Sequence, residues 1–528
     1  MSAKRFRLTK TAKILIMILI IALVGGGVFA GVKTGIVKTD KKQNVASNDL
    51  NTNVNEDIFD GSNVNDKEDN DNTMNLSIDE WVGYIPIVKG EAAGIYEKYG
   101  IDLNLYVIND SNQSSNALIK GELDGAGYTI NRVAFLSEKF SNANFGVVMP
   151  YITNYSNGGD GIIAHSSIKT INDLVGAKVG VPQFTESHAM FVWFVNNSDL
   201  TQKEKDEIID NLVLMSSAEE TAKAFFAGQI DVAATWQPYL TQAEEMTDAH
   251  VLFSTANSTK LIMSGIIFSE EYAKENPELI SKFIDATLEA SELYGSNEYN
   301  KELADMMPMF SGMSDETIAE MTLDAKLTSW KDNMEVLKDD AKLIYTNMCD
   351  TWISIGEKVD GTLVESMFDT SYMASLSDKY ESIVEETTDD NKTVVTEDNE
   401  QLIAETEALL GGTASVTFIK NTAKFDDPSV ASAELDKFIE IAKILDGTII
   451  EIAGNTDPNP NSDPLDEYNI KLSYQRAEAV KNYFIMNGIS ADRIVVVGNG
   501  SSNPIVENDT EEHRAMNRRT DVSFKIIE

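Results

Sequence analysis

Apolar residues are spaced differently along successive parts of the chain. Ile14 to Val32 is an uncharged, mostly apolar run, whereas residues 39–75 are dominated by Asn, Asp, Ser and Lys, with almost no apolar position from Asn63 to Asn75. From Leu76 onward short apolar runs alternate with amphipathic stretches. Trp81–Val88, Leu103–Ile108, Gly125–Thr129, Phe145–Tyr151, Gly161–His165, Lys178–Val181 and Ile230–Thr235 are predicted strands, with Asn116–Gly121 and Ala218–Gly228 as helical connections. That alternation implies an α/β class with mainly parallel strands. Residues 270–377 are helix-rich, with 3.6-residue periodicity in Glu270–Tyr294, Asp315–Leu327 and Asp340–Lys358. After 411 the pattern becomes strand (Ser415–Lys420), helix (Ser429–Leu445), strand (Thr448–Gly454), helix (Asp466–Asn487), strand (Arg493–Gly498) and strand (Thr520–Ile527), an expected α+β sandwich.

The uncharged run is long enough to cross a bilayer, since nineteen helical residues at ~1.5 Å each approach the ~30 Å hydrocarbon core. Lys4, Arg5, Arg7, Lys10 and Lys13 precede it and place the N-terminus in the cytoplasm by the positive-inside rule. A cleaved secretory signal is the alternative, with Val28-Phe29-Ala30 as a cleavage site. Both put the rest of the chain outside the cytoplasm. No cysteine stands near the end of the run to take a lipid. The expected order is therefore a basic cytoplasmic segment (1–13), a transmembrane helix or signal (14–32), a disordered linker (33–75), a binding domain (76–377), an acidic linker (378–411) and a C-terminal domain (412–528).

Charge sharpens this division. The net formal charge is −42 over 528 residues, which opposes binding to phosphate backbones and excludes nucleic acid as a partner. Segment by segment it is +7 for 1–38, −6 for 39–75, −27 for 76–377, −9 for 378–411 and −7 for 412–528. The large middle domain thus holds most of the negative charge. Cys349 is the single cysteine and is expected in a helix core, so no disulfide can form within the chain. His165, His188, His250 and His513 lack the spacing of a zinc motif. Neither a metal nor a cofactor is expected.

Trp81-Val82-Gly83-Tyr84-Ile85-Pro86, Gly94-Ile95-Tyr96-Glu97-Lys98-Tyr99-Gly100-Ile101, Ala117–Ala126, Asp173–Gly180 and Phe226–Tyr239 follow one another in an order that resembles substrate-binding proteins of ABC importers, of the nitrate/sulfonate/taurine and thiamine-precursor type. The resemblance implies two α/β lobes of a periplasmic-binding-protein fold, joined by crossover strands, closing on a small solute and delivering it to an ABC permease. Ligands of open α/β sheets sit beyond the carboxyl ends of strands. That rule makes Tyr84, Thr129, Asn157 (with the crossing up to Asp160), Thr185, Ser187, His188 and Trp236 the candidate ligand-binding residues, against the alternatives that Thr185 and Ser187 cap a helix, that His188 is structural and that Trp236 is a packing residue. Glu186 stands in the loop where anion-binding members use a helix N-terminus, so a neutral, zwitterionic or cationic ligand remains open beside an anionic one.

In the last segment, Glu451–Asp457, Asn469–Ala477, Val480–Phe484, Gly488–Ser490, Gly498–Gly500 and Arg514–Arg519 resemble the OmpA-like peptidoglycan-binding domain. The resemblance implies that Asp457 and Arg476 hold the diaminopimelate of the wall peptide, with Asn469 and Thr456 adding hydrogen bonds. A zwitterion needs one carboxylate and one guanidinium fork, so the pairing is chemically sensible. Asn455 stands where the family usually has histidine, and Pro458–Glu467 forms a lengthened loop. The expectation is a non-enzymatic, membrane-anchored and wall-associated solute-binding protein of the cell envelope. The alternative is a structural or sensory protein that links membrane and wall without transport.

Overall fold

A computed structural model describes residues 72–258, 260–382, 394–396, 399–414, 416–419, 421–457 and 467–527. The expected basic segment and membrane span lie outside them, as do most of the first linker and the proline-containing loop at 458–466. Among the described residues no helix is long and apolar enough to cross a membrane.

Three sheets organise the described residues. The first has the order β11 (Ala325–Leu327), β4 (Val147–Ser156), β10 (Met263–Ser269), β3 (Gly125–Thr129), β1 (Thr73–Ile78) and β2 (Asp102–Val107). Its β1 pairs in parallel with β2 and β3, whereas β10 runs antiparallel to β3 and β4. The second has the order β7 (Val213–Met215), β6 (Val179–Pro182), β8 (Val232–Trp236), β5 (Asp160–His165) and β9 (Ala249–Ser254), with β6 parallel to both neighbours and β5 antiparallel to β8 and β9. Each sheet is the core of one lobe, and the chain passes between them twice: from β4 to β5 through Asn157-Gly158-Gly159, and back from β9 to β10. The third sheet has the order β12 (Leu410–Ala414), β15 (Thr520–Lys525), β13 (Ile449–Gly454) and β14 (Ile494–Gly498).

The helices that position the two candidate sites are α1 (Ile85–Ala92), α2 (Ser111–Ile119), α3 (Ile130–Asn142), α4 (Glu186–Asn197), α5 (Ala218–Phe226), α6 (Pro277–Ala290), α7 (Asp340–Ser354), α8 (Pro428–Ile444), α9 (Glu467–Met486) and α10 (Glu511–Asn517). Several start where the sequence supplies an acceptor for free N–H groups: Asp110 caps α2, Thr129 caps α3, Thr185 caps α4 and Ser217 caps α5.

Five expectations need correction. The strands of the two lobes are not mainly parallel: among the described residues four pairings are parallel and five antiparallel, because β10, β11, β5 and β9 run against their neighbours. The first strand is β1, which begins in the last three residues of the expected linker, and the expected strand Trp81–Val88 is helical from Val82 instead. Pro86 sits in the first turn of α1, where its missing N–H costs nothing, and Ile85 to Gly90 are buried all round, so the helix shows no polar face. Glu270–Tyr294 is divided at Asn276, because Pro277 opens a new helix. Asp315–Leu327 is a helix only to Met321 and ends in β11. Finally, Gly411-Gly412 lies within β12, and Phe418 makes only an isolated bridge to Phe425 in place of the expected strand at Ser415–Lys420. A Cβ on Gly411 would lie 2.9 Å from the Val522 carbonyl oxygen, so the close pairing with β15 requires glycine there. Cys349 is buried in α7, as expected of it, and burial pushes its thiol up to about 12.

Candidate ligand cleft and wall-binding pocket

The carboxyl ends of β1, β3 and β8 and the start of β5 surround a cavity of about 440 Å³. Residues of both lobes line it, including Asp79, Glu80, Trp81, Tyr84, Tyr128, Thr129 and Arg132 from the first and Asp160, Thr185, Glu186 and Trp236 from the second, with Asp324 just before β11. Its volume is that of a pocket for a small organic molecule. Trp81 is fixed by its indole N–H, which donates to Asn154 Oδ1 at 2.8 Å. Gly159 permits the crossover to pass close by, since a Cβ there would sit 2.6 Å from the Trp81 ring.

The two lobes are bridged across this cavity. Arg132, on α3, donates from Nη1 to the Phe184 carbonyl at 2.7 Å and from Nη2 to Glu186 Oε2 at 3.2 Å. The Thr129 hydroxyl donates to Glu186 Oε1 at 2.9 Å. Glu186, the residue that stood against an anionic ligand in the sequence, is therefore the partner of the cavity's arginine. The crossovers are knotted together by Thr255, whose Oγ1 accepts from Gly158 N at 2.9 Å and Asp160 N at 3.2 Å and lies 2.9 Å from Ser156 Oγ.

Three carboxyls in the cavity wall are held well above the ordinary range. Burial raises Asp79 from 3.8 to about 6, opposed by the N–H of Trp81. Burial likewise raises Asp160 to about 7, opposed by the Ser156 hydroxyl and reinforced by Glu186, and raises Asp324 to about 7, reinforced by Asp160.

Of the expected ligand residues, Tyr84, Thr129, Thr185 and Trp236 line the cavity. Asn157, Ser187 and His188 do not. Asn157 belongs to the crossover and donates from its side chain to the Leu323 carbonyl at 3.2 Å. Ser187 is fully buried in α4. His188 accepts from Phe184 N at Nδ1, 3.2 Å away, packs edge-on against Trp352, and is pushed by burial down to about 4, so it is a neutral core residue. Asp160, at the end of the expected Asn157–Asp160 crossing, lines the cavity, whereas Asp79, Arg132 and Asp324 are cavity residues that the sequence pattern did not mark. Asp79 follows β1, and placing that strand correctly would have pointed to it.

In the third sheet's domain, Asp457 follows β13 and Arg476 rises from the middle of α9. Arg476 is 5% exposed, donates from Nε to the Thr422 carbonyl at 3.2 Å and lies with its guanidinium 5.0 Å from the centre of the Phe418 ring. Burial lowers its pKa, which the charge of Asp457 opposes. Thr456 and Asn469 are buried, and among the described residues Thr456 Oγ1 and Asn469 Nδ2 have no hydrogen-bond partner. All four expected residues thus flank one end of β13 and one face of α9. Asp457 is also paired with Arg518 Nη1 at 3.2 Å, and Arg518 in turn meets Glu511 of α10 at 2.7 Å. Arg519 is paired internally with Asp521. Asn455 binds Asp521 Oδ2 at 2.9 Å and accepts from Asn499, so its amide belongs to the sheet's own polar network.

Residues 81–297 match the family described as NMT1/THI5 like, and residues 417–518 match the OmpA family. The chain joins an NMT1/THI5-like domain to an OmpA domain. A binding protein of Brucella abortus (strain 2308) is 24% identical to it over 275 residues, covering 48% of this chain and 81% of that protein. The peptidoglycan-binding protein ArfA of Mycobacterium tuberculosis is 45% identical over 73 residues, 14% of this chain and 21% of that protein. The periplasmic aliphatic sulphonate binding protein SsuA from Escherichia coli superposes with a TM-score of 0.45 at 17% identity, covering 57% of this chain and 99% of that one. The chain spans 35% to 57% of the length of the outer-membrane relatives that its OmpA domain matches.

Proposed function

We propose that this is an envelope solute-binding protein: the NMT1/THI5-like domain captures a small molecule for ABC-type import while the OmpA domain holds peptidoglycan. The observation that carries the reading is the cavity of about 440 Å³ walled by residues of both lobes, beside two crossovers tied at Thr255. Two lobes on such crossovers can enclose a solute by rotation about them. On this reading Tyr84, Thr129, Thr185 and Trp236 contact the solute. Asp457 receives the ammonium and Arg476 the carboxylate of diaminopimelate, with Thr456 and Asn469 supplying the hydrogen bonds they lack among the described residues. The run at 14–32 would keep the chain at the cytoplasmic membrane, with its bulk in the periplasm or cell-wall zone, and the linker before the first lobe would give it reach.

Titration calorimetry of the full chain against small solutes, together with lobe closure followed by small-angle scattering, tests the first half. Saturable binding with a reduced radius of gyration is expected. Absence of any small-molecule ligand would favour a structural or sensory protein linking membrane and wall.

A further inference from the structure

If the cleft holds a solute, as the solute-binding reading requires, the charges on its walls restrict the chemistry of that solute. Among the described residues five carboxylates line the cavity, Asp79, Glu80, Asp160, Glu186 and Asp324, against one basic side chain, Arg132. Arg132 is already engaged by Glu186 and by the Phe184 carbonyl. Glu80 is engaged as well, accepting from Met309 N at Oε1 and from the Asn109 amide at Oε2, both at 2.8 Å. Asp79, Asp160 and Asp324 remain. Asp79 accepts from Trp81 N and Asp160 from the Ser156 hydroxyl, and none of the three joins an ion pair among the described residues.

Carboxylates gathered out of water without a counter-charge are unfavourable, and either protons or a cation must relieve them. The raised values of all three are the proton solution, and a ligand cation would replace it. An anion would meet the same carboxylates with the guanidinium already taken. The walls also carry indole and phenol rings, which attract ammonium groups through their faces as well as covering carbon.

We propose that the cleft takes a small organic ammonium ion, its charge set against Asp79, Asp160 and Asp324 and its carbon body against Trp81, Tyr84 and Trp236. The nitrate or sulfonate chemistry suggested by the sequence resemblance is then not this chain's cargo.

The test is titration calorimetry of the full chain with putrescine, spermidine, choline and benzylamine, beside taurine, methanesulfonate, nitrate and uncharged pyrimidines. At least one ammonium probe should bind saturably and the anions should not. Asp160→Asn should weaken that binding about 30-fold or more, the usual loss when one partner of a buried charge pair is removed. Asp324→Asn, at a less buried position, should weaken it in the same direction, and circular dichroism of both variants separates lost affinity from lost fold. Binding of an anion or a neutral pyrimidine without any ammonium probe would overturn the charge assignment and leave the solute-binding reading standing. No binding by any probe would overturn both.

Discussion

Replacing Asp160 by asparagine should stabilise the first two lobes, and more so at high pH than at low. Asp160 is 7% exposed, and burial, reinforced by Glu186 and opposed by the Ser156 hydroxyl, raises its carboxyl from 3.8 to about 7. A carboxyl with a higher pKa folded than unfolded holds its proton more tightly in the folded state. Below pH 3.8 both states are protonated and no stability is lost. Between 3.8 and about 7 the folded chain keeps a proton that the unfolded chain releases, so the unfolding free energy falls by about 1.4 kcal/mol per pH unit. Above about 7 both states are ionised and the whole loss, about 4 kcal/mol, persists. Asparagine keeps the shape and can still accept the Ser156 hydroxyl, but it has no charge to desolvate. Its advantage over the wild type should be about 2 kcal/mol at about pH 5.5 and about 4 kcal/mol at about pH 8.5, both above the isoelectric point of about 4.4. Urea unfolding of both proteins at the two pH values, followed by tryptophan fluorescence, measures the difference. An advantage of equal size at both pH values, or one that shrinks as pH rises, would refute the reasoning.

Affinity for an ammonium probe should fall as pH is lowered from about 8 to about 5.5. Protons compete for Asp160 and Asp324 near 7 and for Asp79 near 6, with Glu186 and Arg132 as the other charges facing them, and calorimetry in buffers of different ionisation enthalpy should register proton release on binding. Thr255→Val should destabilise the chain by about 3 kcal/mol, because it strips an acceptor from two backbone N–H groups in the crossover; a change below about 0.5 kcal/mol in chemical unfolding would contradict the assigned role of the hydroxyl. Asp457→Asn and Arg476→Leu should each reduce pull-down on diaminopimelate-containing peptidoglycan at least about tenfold. Wild-type retention by both variants would remove the assigned pocket.

Much of this architecture could be read from one sequence. Runs such as Lys178–Val181 and Ile230–Thr235 overlap the buried parallel strands β6 and β8, and their short unbroken runs of Val, Ala and Gly are enough to reveal them. The OmpA domain was legible through its motif, and Asp457, Arg476, Asn469 and Thr456 do flank the same strand end and helix face. The errors at β1 and α1 share a cause. In β1, Asn75 and Ser77 are polar but paired inside, with Asp124 and with Ser114, so the strand resembled the polar linker before it. In α1 the opposite happens: even Lys89 is buried, its ammonium donating to the Ser296 carbonyl at 2.7 Å, so a helix read as an apolar strand. Periodicity reports exposure, and neither segment has an exposed face to report.

The sequence by itself determined the two domains, their order, the candidate membrane segment and the charge excess of the middle domain, because motifs, apolar run length and net charge are properties of a chain and not of its folding. Only the tertiary structure decided which charges matter. Asp79, Asp160 and Asp324 are far apart in the chain and line one cavity because three strand ends and two crossovers converge on it. There Asp160 is buried and Asp79 and Asp324 half-buried, while Glu186 occupies the arginine among the described cavity residues, and it is that local arrangement, not the net charge of −42, that selects for a cation.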